Sequence, residues 1–245
     1  MVMEPQVTVV VPVRNEAGNL APLMREIDAA LSGRMAFEVI VVDDGSDDGS
    51  GREVAELAAQ HAWLRQIRHP TSCGKSAAIK SAVAAARAPL IVTLDGDGQN
   101  NPAFIPAFLA RMEEAGEGCG LVHGQRLGRK DTAFKRVQSR IGNGVRRAIL
   151  RDGTRDTACG FTCIRRDVYL NLPFFDALHR FLPALVRRDG YDVAHVDVVD
   201  RPRLKGVSKY GFLDRLGAGI VDLMGVGWLL ARRRRVPKAE EVQRP

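Results

Sequence analysis

Apolar residues fall into two kinds of block along the first half of the chain. Val7–Val13 is apolar at nearly every position, whereas Leu20–Leu31 repeats its apolar residues at helical spacing. A short continuous apolar run fits a strand buried on both faces, and a longer run with a 3.6-residue period fits an amphipathic helix. The pattern therefore predicts strands at Val7–Val13, Phe37–Val42, Leu64–Arg68 and Pro89–Leu94, with helices at Leu20–Leu31, Glu53–His61 and about Lys75 to Ala86. Asn19 is the expected N-cap of the first helix, and Asp47 and Asp48 are expected turn and capping residues. A β-α-β-α-β-α-β order with non-alternating strands predicts an α/β domain, a mostly parallel central sheet flanked by helices.

The second half is less regular. Leu121–Gly124, Ala158–Ile164 and Asp192–Asp200 read as strands, Ala133–Leu150 as a basic helix, and Phe212 to Ala231 as an apolar one. In this last helix Leu213, Leu216, Ile220, Leu223, Met224, Gly227 and Leu230 recur at helical spacing, with Trp228 near its end. A spanning helix needs ~20 predominantly apolar residues, and Asp214, Arg215 and Asp222 interrupt this one. An interfacial helix fits it, as does a helix docked on the core or on a second copy of the chain. The charged, proline-containing segment 232–245 predicts a mobile tail.

Parallel sheets bind ligands beyond the carboxyl ends of their strands. Those ends here carry Arg14-Asn15-Glu16, Asp43-Asp44-Gly45 and Asp95-Gly96-Asp97, so three strands deliver polar residues to one rim. Asp95 and Asp97 are the expected ligands of a hard divalent cation, with Gln99 as a further oxygen donor and Gly96 allowing close backbone approach. Asp44 stands where such sheets present a carboxylate to ribose hydroxyls or a base N–H. An EF-hand fails on register. Counting from Asp44 puts Ala55 at the twelfth position, and counting from Asp95 puts Asn100 at the sixth. A P-loop fails because His69 stands where Gly74-Lys75-Ser76 would need its first glycine. Lys75 remains open between a nucleotide contact and a solvated helix-end lysine.

Composition narrows the class. The 245 residues are 45% hydrophobic and 27% charged, enough for a single large unit with a real core. Aromatic residues make up only 6%, which disfavours a stacking platform for single-stranded nucleic acid. The net charge of +7 suits anionic partners. A basic nucleic-acid-binding protein would account for that charge, but not for acidic groups on the candidate binding rim. Cys73, Cys119, Cys159 and Cys163 form no Cys-x-x-Cys pair, and no leader pattern opens the chain. A reduced, cytoplasmic setting is expected.

Three motifs in order, Val9-Val10-Val11-Pro12-Val13-Arg14-Asn15-Glu16, Val39-Ile40-Val41-Val42-Asp43-Asp44-Gly45-Ser46 and Thr93-Leu94-Asp95-Gly96-Asp97-Gly98-Gln99, resemble a family 2 glycosyltransferase. The likeness is to the dolichol-phosphate mannose synthase branch and its bacterial polyprenyl-phosphate hexose relatives, and runs from about Val7 to Ala231. It implies a single GT-A-type domain over 1–211, with a nucleotide-binding half to about 125 and an acceptor half over 126–211. A helix at 212–231 and the basic tail 232–245 follow.

The resemblance also implies roles. Pro12 and Glu16 lie where the family shapes the nucleoside pocket, Asp44 where it binds base or ribose, and Asp95, Asp97 and Gln99 where it gathers metal and diphosphate. Gly124-Gln125-Arg126 matches a Gly-Ser-Arg segment, with Gln125 departing from serine, and Arg140 sits at the spacing of a second phosphate-binding arginine. Asp156-Thr157-Ala158-Cys159-Gly160-Phe161 matches Asp-x-x-Ser-Gly-Phe, with Cys159 for serine. Arg203 through Gly206, Ser208 and Lys209 match a loop that covers the donor phosphates. The implied activity is inverting, metal-dependent transfer of a hexosyl group from a UDP- or GDP-linked donor to a polyprenyl phosphate, using Mg²⁺ or Mn²⁺. Asp156 would orient acceptor or sugar. A saccharide or other hydroxyl acceptor is the alternative. The implied place is peripheral on the inner face of the cell membrane, through the last helix and Arg232–Arg235.

Overall fold

A computed structural model describes residues 4–127, 149–150, 152–157, 159–201 and 212–232, and of residues 212–218 only their helical backbone. Strands β1 (Val7–Val13), β2 (Phe37–Asp44), β3 (Leu64–His69), β4 (Leu90–Thr93), β5 (Cys119–Arg126), β6 (Thr162–Arg165) and β7 (Asp192–Val198) form one sheet. Its order is β3-β2-β1-β4-β6-β5-β7. All neighbours are parallel except β6, which runs against both β4 and β5.

The helices are α1 (Leu20–Leu31), α2 (Ser50–Gln60), α3 (Lys75–Ala85), α4 (Ile105–Glu114), α5 (Arg166–Asn171), α6 (Leu182–Arg188) and α7 (Phe212–Ala231). Alternate residues of β1 supply two cores. Val7, Val9, Val11 and Val13 pack with α1, α2 and α4, while Val10 packs with α3, α5, α6 and part of α7. Both faces of the strand are covered, which explains the unbroken apolar run.

The first half matches the pattern closely, with two local corrections there and a third at β6. Asn19 precedes α1, but its backbone is already helical and its side chain makes no capping bond. It donates instead to Glu16 Oε2 at 2.8 Å, and Glu53 of α2 accepts from Gly18 N–H and Ala21 N–H at 2.6 and 3.0 Å. A distant carboxylate thus satisfies the Ala21 donor that a local cap was expected to take. Helix α2 begins three residues before its expected start, because Asp48 accepts from the Ser50 backbone N–H at 3.0 Å and orders the first turn. Strand β6 begins at Thr162, after residues 159–161 have turned toward the end of β4.

No element was expected over α4, α5 or α6, although Ile105, Phe108 and Met112 stand at helical spacing and are buried. Of the predicted helix 133–150, only Ile149 and Leu150 lie within the described residues, and both are helical.

Candidate active site

The rim is built where the sheet changes direction. From β1 the chain proceeds through β2 to β3 on one side and then crosses to β4 on the other, so a crevice opens between the carboxyl ends of β1 and β4. Pairing of β1 with β4 stops at Val10 and Thr93. Pro12 shares the parity of Val10, so its missing N–H faces the side from which β4 has diverged and costs no ladder bond. Gly96 sits against this end. A Cβ there would lie 3.1 Å from Val13 Cγ2, 3.3 Å from Pro12 O and 3.7 Å from Glu16 Cγ. Its close approach is therefore to β1, and it brings Pro12 and Glu16 beside the Asp95–Asp97 turn.

Asp95 faces the other way. Its Oδ1 accepts a hydrogen bond from Lys75 Nζ at the first turn of α3, and its backbone N–H donates to Asn100 Oδ1 at 3.0 Å. A Cβ on Gly160 would fall 2.6 Å from the Asp95 carboxylate, so only glycine leaves this carboxylate its place. Burial would raise the Asp95 carboxyl. The Lys75 ammonium outweighs it, helped by Arg126, and holds Asp95 below the usual carboxylate range. Asp97 is buried and its Oδ1 accepts from Gln99 N–H at 3.1 Å. Gln99 spans to the end of β7, with Nε2 3.5 Å from Arg201 O and its carbonyl accepting from Arg201 N–H at 2.9 Å.

These donors suit a hard divalent cation. Two carboxylates lie at one strand end, an ammonium already occupies a cation position beside Asp95, and the oxygens are of the type Mg²⁺ and Mn²⁺ take. Asp95 and Asp97 are the carboxylates that could hold such an ion, and Gln99, whose amide nitrogen is turned to Arg201, still has its side-chain oxygen to offer.

Because β6 is antiparallel, its amino end lies at the same rim and brings Asp156 and residues 159–161 there. Arg126, at the end of β5, donates Nε to Asp156 Oδ2 at 2.5 Å and Nη2 to Asp156 Oδ1 at 2.9 Å. Its Nη1 donates to Asp200 Oδ2 at 3.3 Å. The fork to Asp156 raises the guanidinium's proton affinity despite burial, with the charges of Asp156 and Asp200 adding to it. Asp200 moves the opposite way for a carboxylate: burial pushes its pKa up, and Arg126 offsets this only in part. Gln125 accepts from Arg155 Nε, and Arg155 Nη2 also reaches Asp197 at 2.8 Å. The Cys159 thiol is buried and pushed up to about 12 by that burial, so it packs as a neutral group.

Asp44 is engaged within the protein. Oδ1 accepts from His69 Nδ1 at 2.7 Å and Cys73 N–H at 2.9 Å, and Oδ2 accepts from Ser72 Oγ at 2.7 Å and Gly74 N–H at 2.9 Å. With four acceptor sites filled and 4% of the residue exposed, it organises the loop leading to Lys75 rather than facing outward. These bonds overcome burial and lower its pKa.

Two functional candidates escaped the sequence. His179, in a 3₁₀ turn over Leu178–Arg180, places Nδ1 2.8 Å from Ser76 Oγ. Burial first, then the Lys75 charge, lowers its pKa to about 3, so it is a neutral imidazole beside Asp95 and Lys75. Asp200 is the second; the sequence pattern makes it the last residue of a strand, whereas β7 ends at Val198 and leaves Asp200 beyond the carboxyl end of a parallel strand, the position that singled out Asp95. Arg140, Arg203, Ser208 and Lys209 lie outside the described residues.

Residues 8–172 match the model of "Glycosyl transferase family 2". Among curated proteins, the chain is 30% identical over 235 residues to a dodecaprenyl-phosphate galacturonate synthase of Rhizobium johnstonii, covering 94% of this chain and 69% of that one. It is 32% identical over 210 residues to an undecaprenyl-phosphate 4-deoxy-4-formamido-L-arabinose transferase of Shewanella sediminis, covering 85% of this chain and 62% of that one. The chain thus spans about two thirds of the length of these relatives. Among solved structures, it superimposes on Mycobacterium tuberculosis glucosyl-3-phosphoglycerate synthase in complex with Mn²⁺, UDP and glucosyl-3-phosphoglycerate. The TM-score is 0.67 at 22% identity, over 96% of this chain and 82% of that one. This last likeness establishes the fold.

Proposed function

The chain belongs to glycosyl transferase family 2, and we propose that it transfers a hexosyl group from a nucleoside diphosphate sugar to a polyprenyl phosphate, inverting the anomeric carbon. Family membership displaces the nucleic-acid reading. The observation behind the acceptor class is the fork between Arg126 and Asp156. A carboxylate committed to a guanidinium is a weak base. A phosphate acceptor arrives anionic and needs no base, whereas a hydroxyl needs its proton removed. The two polyprenyl-phosphate relatives support the same acceptor class.

In this reading Pro12 and Glu16 bound the nucleoside, and Asp44 acts on it through the loop it orders. Lys75 and Arg126 bring positive charge to Asp95 and position donor phosphates. Arg140, Arg203, Ser208 and Lys209 add phosphate contacts. Asp95 and Asp97 hold Mg²⁺ or Mn²⁺, joined by the side-chain oxygen of Gln99. When bound, the ion supplies neutralisation of the charge that develops on the departing diphosphate. Residues 1–125 serve the donor and 126–211 the acceptor, with 212–231 and the basic tail 232–245 as attachments.

Helix α7 supports a peripheral attachment to the inner face of the cell membrane. Leu223, Val226, Leu229 and Leu230 pack on the core, while Ile220, Val221, Met224 and Trp228 are exposed. Among the described residues, no helix is long and apolar enough to cross a membrane. Arg232 closes the helix, and Arg233–Arg235 lie outside the described residues. The docked face was one expectation for this helix, and the exposed face leaves room for lipid or a second copy.

A second reading, transfer to a hydroxyl acceptor, has Asp200 behind it, since burial raises its proton affinity beside the site. Thermal stabilisation by UDP against GDP, with and without Mn²⁺, followed by a donor panel with polyprenyl phosphate or saccharide acceptors, separates these readings. A nucleotide-dependent shift and transfer to polyprenyl phosphate are expected. Transfer only to a saccharide selects the second reading, and no shift with no transfer overturns both.

A further inference from the structure

A second constellation of ligand atoms lies one loop away from Asp95. Asp44, His69 and Cys73 each offer a ligand atom, and these atoms all lie within 4.8 Å of one another. They come from the end of β2, the end of β3 and the loop before α3, so the tertiary structure assembles them from three segments. Asp44 and His69 are largely buried, whereas Cys73 is exposed and gives solvent access to the cluster. The second ring nitrogen, His69 Nε2, is 2.9 Å from Ser81 Oγ on α3. That is the outer partner that fixes a ligating imidazole, leaving Nδ1 aimed at the cluster. Ser72 Oγ and Gly74 N–H likewise hold Asp44 Oδ2, and Cys73 N–H holds Oδ1, whose remaining acceptor position faces His69.

We propose that Asp44, His69 and Cys73 bind a borderline-soft divalent cation of the Zn²⁺ type, separate from the hard-cation position at Asp95 and Asp97. A thiolate, an imidazole and one carboxylate select Zn²⁺ over Mg²⁺, which takes oxygen ligands. Asp44 Oδ1 and His69 Nδ1 are 2.7 Å apart, sharing a proton. A tetrahedral ion with N and O bonds of about 2.0–2.1 Å needs them about 3.3 Å apart. The pair therefore opens by roughly half an ångström and exchanges its hydrogen bond for two metal bonds. The proton on Nδ1 moves to Nε2, where Ser81 Oγ accepts it, and the Cys73 thiol releases its proton to solvent. Water completes the four ligands on the exposed side.

Co²⁺ reports on such a site directly, because thiolate ligation gives a near-ultraviolet charge-transfer band and a tetrahedral field gives intense visible bands. Titration of the metal-free full chain with Co²⁺, without nucleotide, is expected to give both bands, and Zn²⁺ is expected to bleach them while excess Mg²⁺ is not. Cys73→Ser is expected to abolish the charge-transfer band and weaken Zn²⁺ binding about tenfold or more, as loss of a ligand exceeds loss of an outer partner. His69→Asn is expected to weaken it likewise. Asp97→Ala is expected to keep the band. Absence of a thiolate band in the unmodified chain, unchanged Zn²⁺ affinity in Cys73→Ser, or loss of the band in Asp97→Ala each overturns the proposal. Cys73 is exposed, so its variant tests the site without disturbing the core.

Discussion

Ser76 Oγ and His179 Nδ1 meet at 2.8 Å across 103 residues of sequence, joining the first turn of α3 to the 3₁₀ turn before α6. This contact ties the element carrying Lys75 to one from the second half. Ser76→Ala and His179→Ala are each expected to lower kcat/KM about tenfold. The double variant is expected to lose little more than either one, because contacting residues are not additive. Fully additive losses in the two single variants and their combination would show that the pair does not act as a unit.

Asp97→Ala is expected to lower turnover roughly 100-fold or more, the scale of losing a main electrostatic stabiliser of the leaving group. Steady-state assays across a Mg²⁺ or Mn²⁺ titration check this. Near-normal turnover with metal dependence intact would remove Asp97 from the role.

Gly160→Ala separates position from stability. The added methyl would meet the Asp95 carboxylate, the movable end of a side chain, so the fold can yield by displacing Asp95. The melting temperature is expected to change little, while the Lys75–Asp95 contact is lost and kcat/KM falls about tenfold or more, as for a misplaced catalytic group. A large melting shift with activity preserved per folded molecule would contradict this.

Glu38 gives a pH signature away from the site. Burial would raise its pKa, but the Arg87 backbone N–H, then Arg65 and Thr8, hold it below its ordinary value. A folded pKa lowered in this way contributes stability above the unfolded value, and that contribution is lost as pH falls through the folded pKa. Glu38→Gln is expected to cost about 2 kcal/mol near neutral pH, the scale of hydrogen bonds to a charged group. The difference should shrink as pH falls below about 4. Chemical unfolding at several pH values measures it, and a cost independent of pH would rule the linkage out.

Trp228 is 62% exposed on the outer face of α7. If that face rests on lipid, tryptophan emission shifts to the blue with vesicles containing anionic lipid, and Met224→Glu weakens co-sedimentation with them. Concentration-dependent dimerisation without vesicle binding would assign the face to a second copy.

Buried parallel strands are nearly continuous apolar runs, so β1 to β4 and their polar carboxyl ends were legible from residue order alone. That set Asp95, Asp97, Glu16 and the basic residue after β5 on one rim, since parallel topology fixes which end of each strand faces the ligand. The partners were not legible. Nothing in the spacing shows that Asp44 spends its acceptors on residues 69–74, that Lys75 bonds Asp95, or that Arg126 grips Asp156. Those outcomes depend on which loops meet at the rim, and side-chain direction in a loop has no sequence period. His179 was hidden for the same reason: it lies in a short turn brought to Ser76 only by packing of α6 on the sheet. The sequence by itself determined the sheet, its rim and the kind of chemistry the rim carries. Tertiary packing alone decided which of the rim's side chains bond one another, because loop conformation and side-chain direction are fixed only where the loops meet.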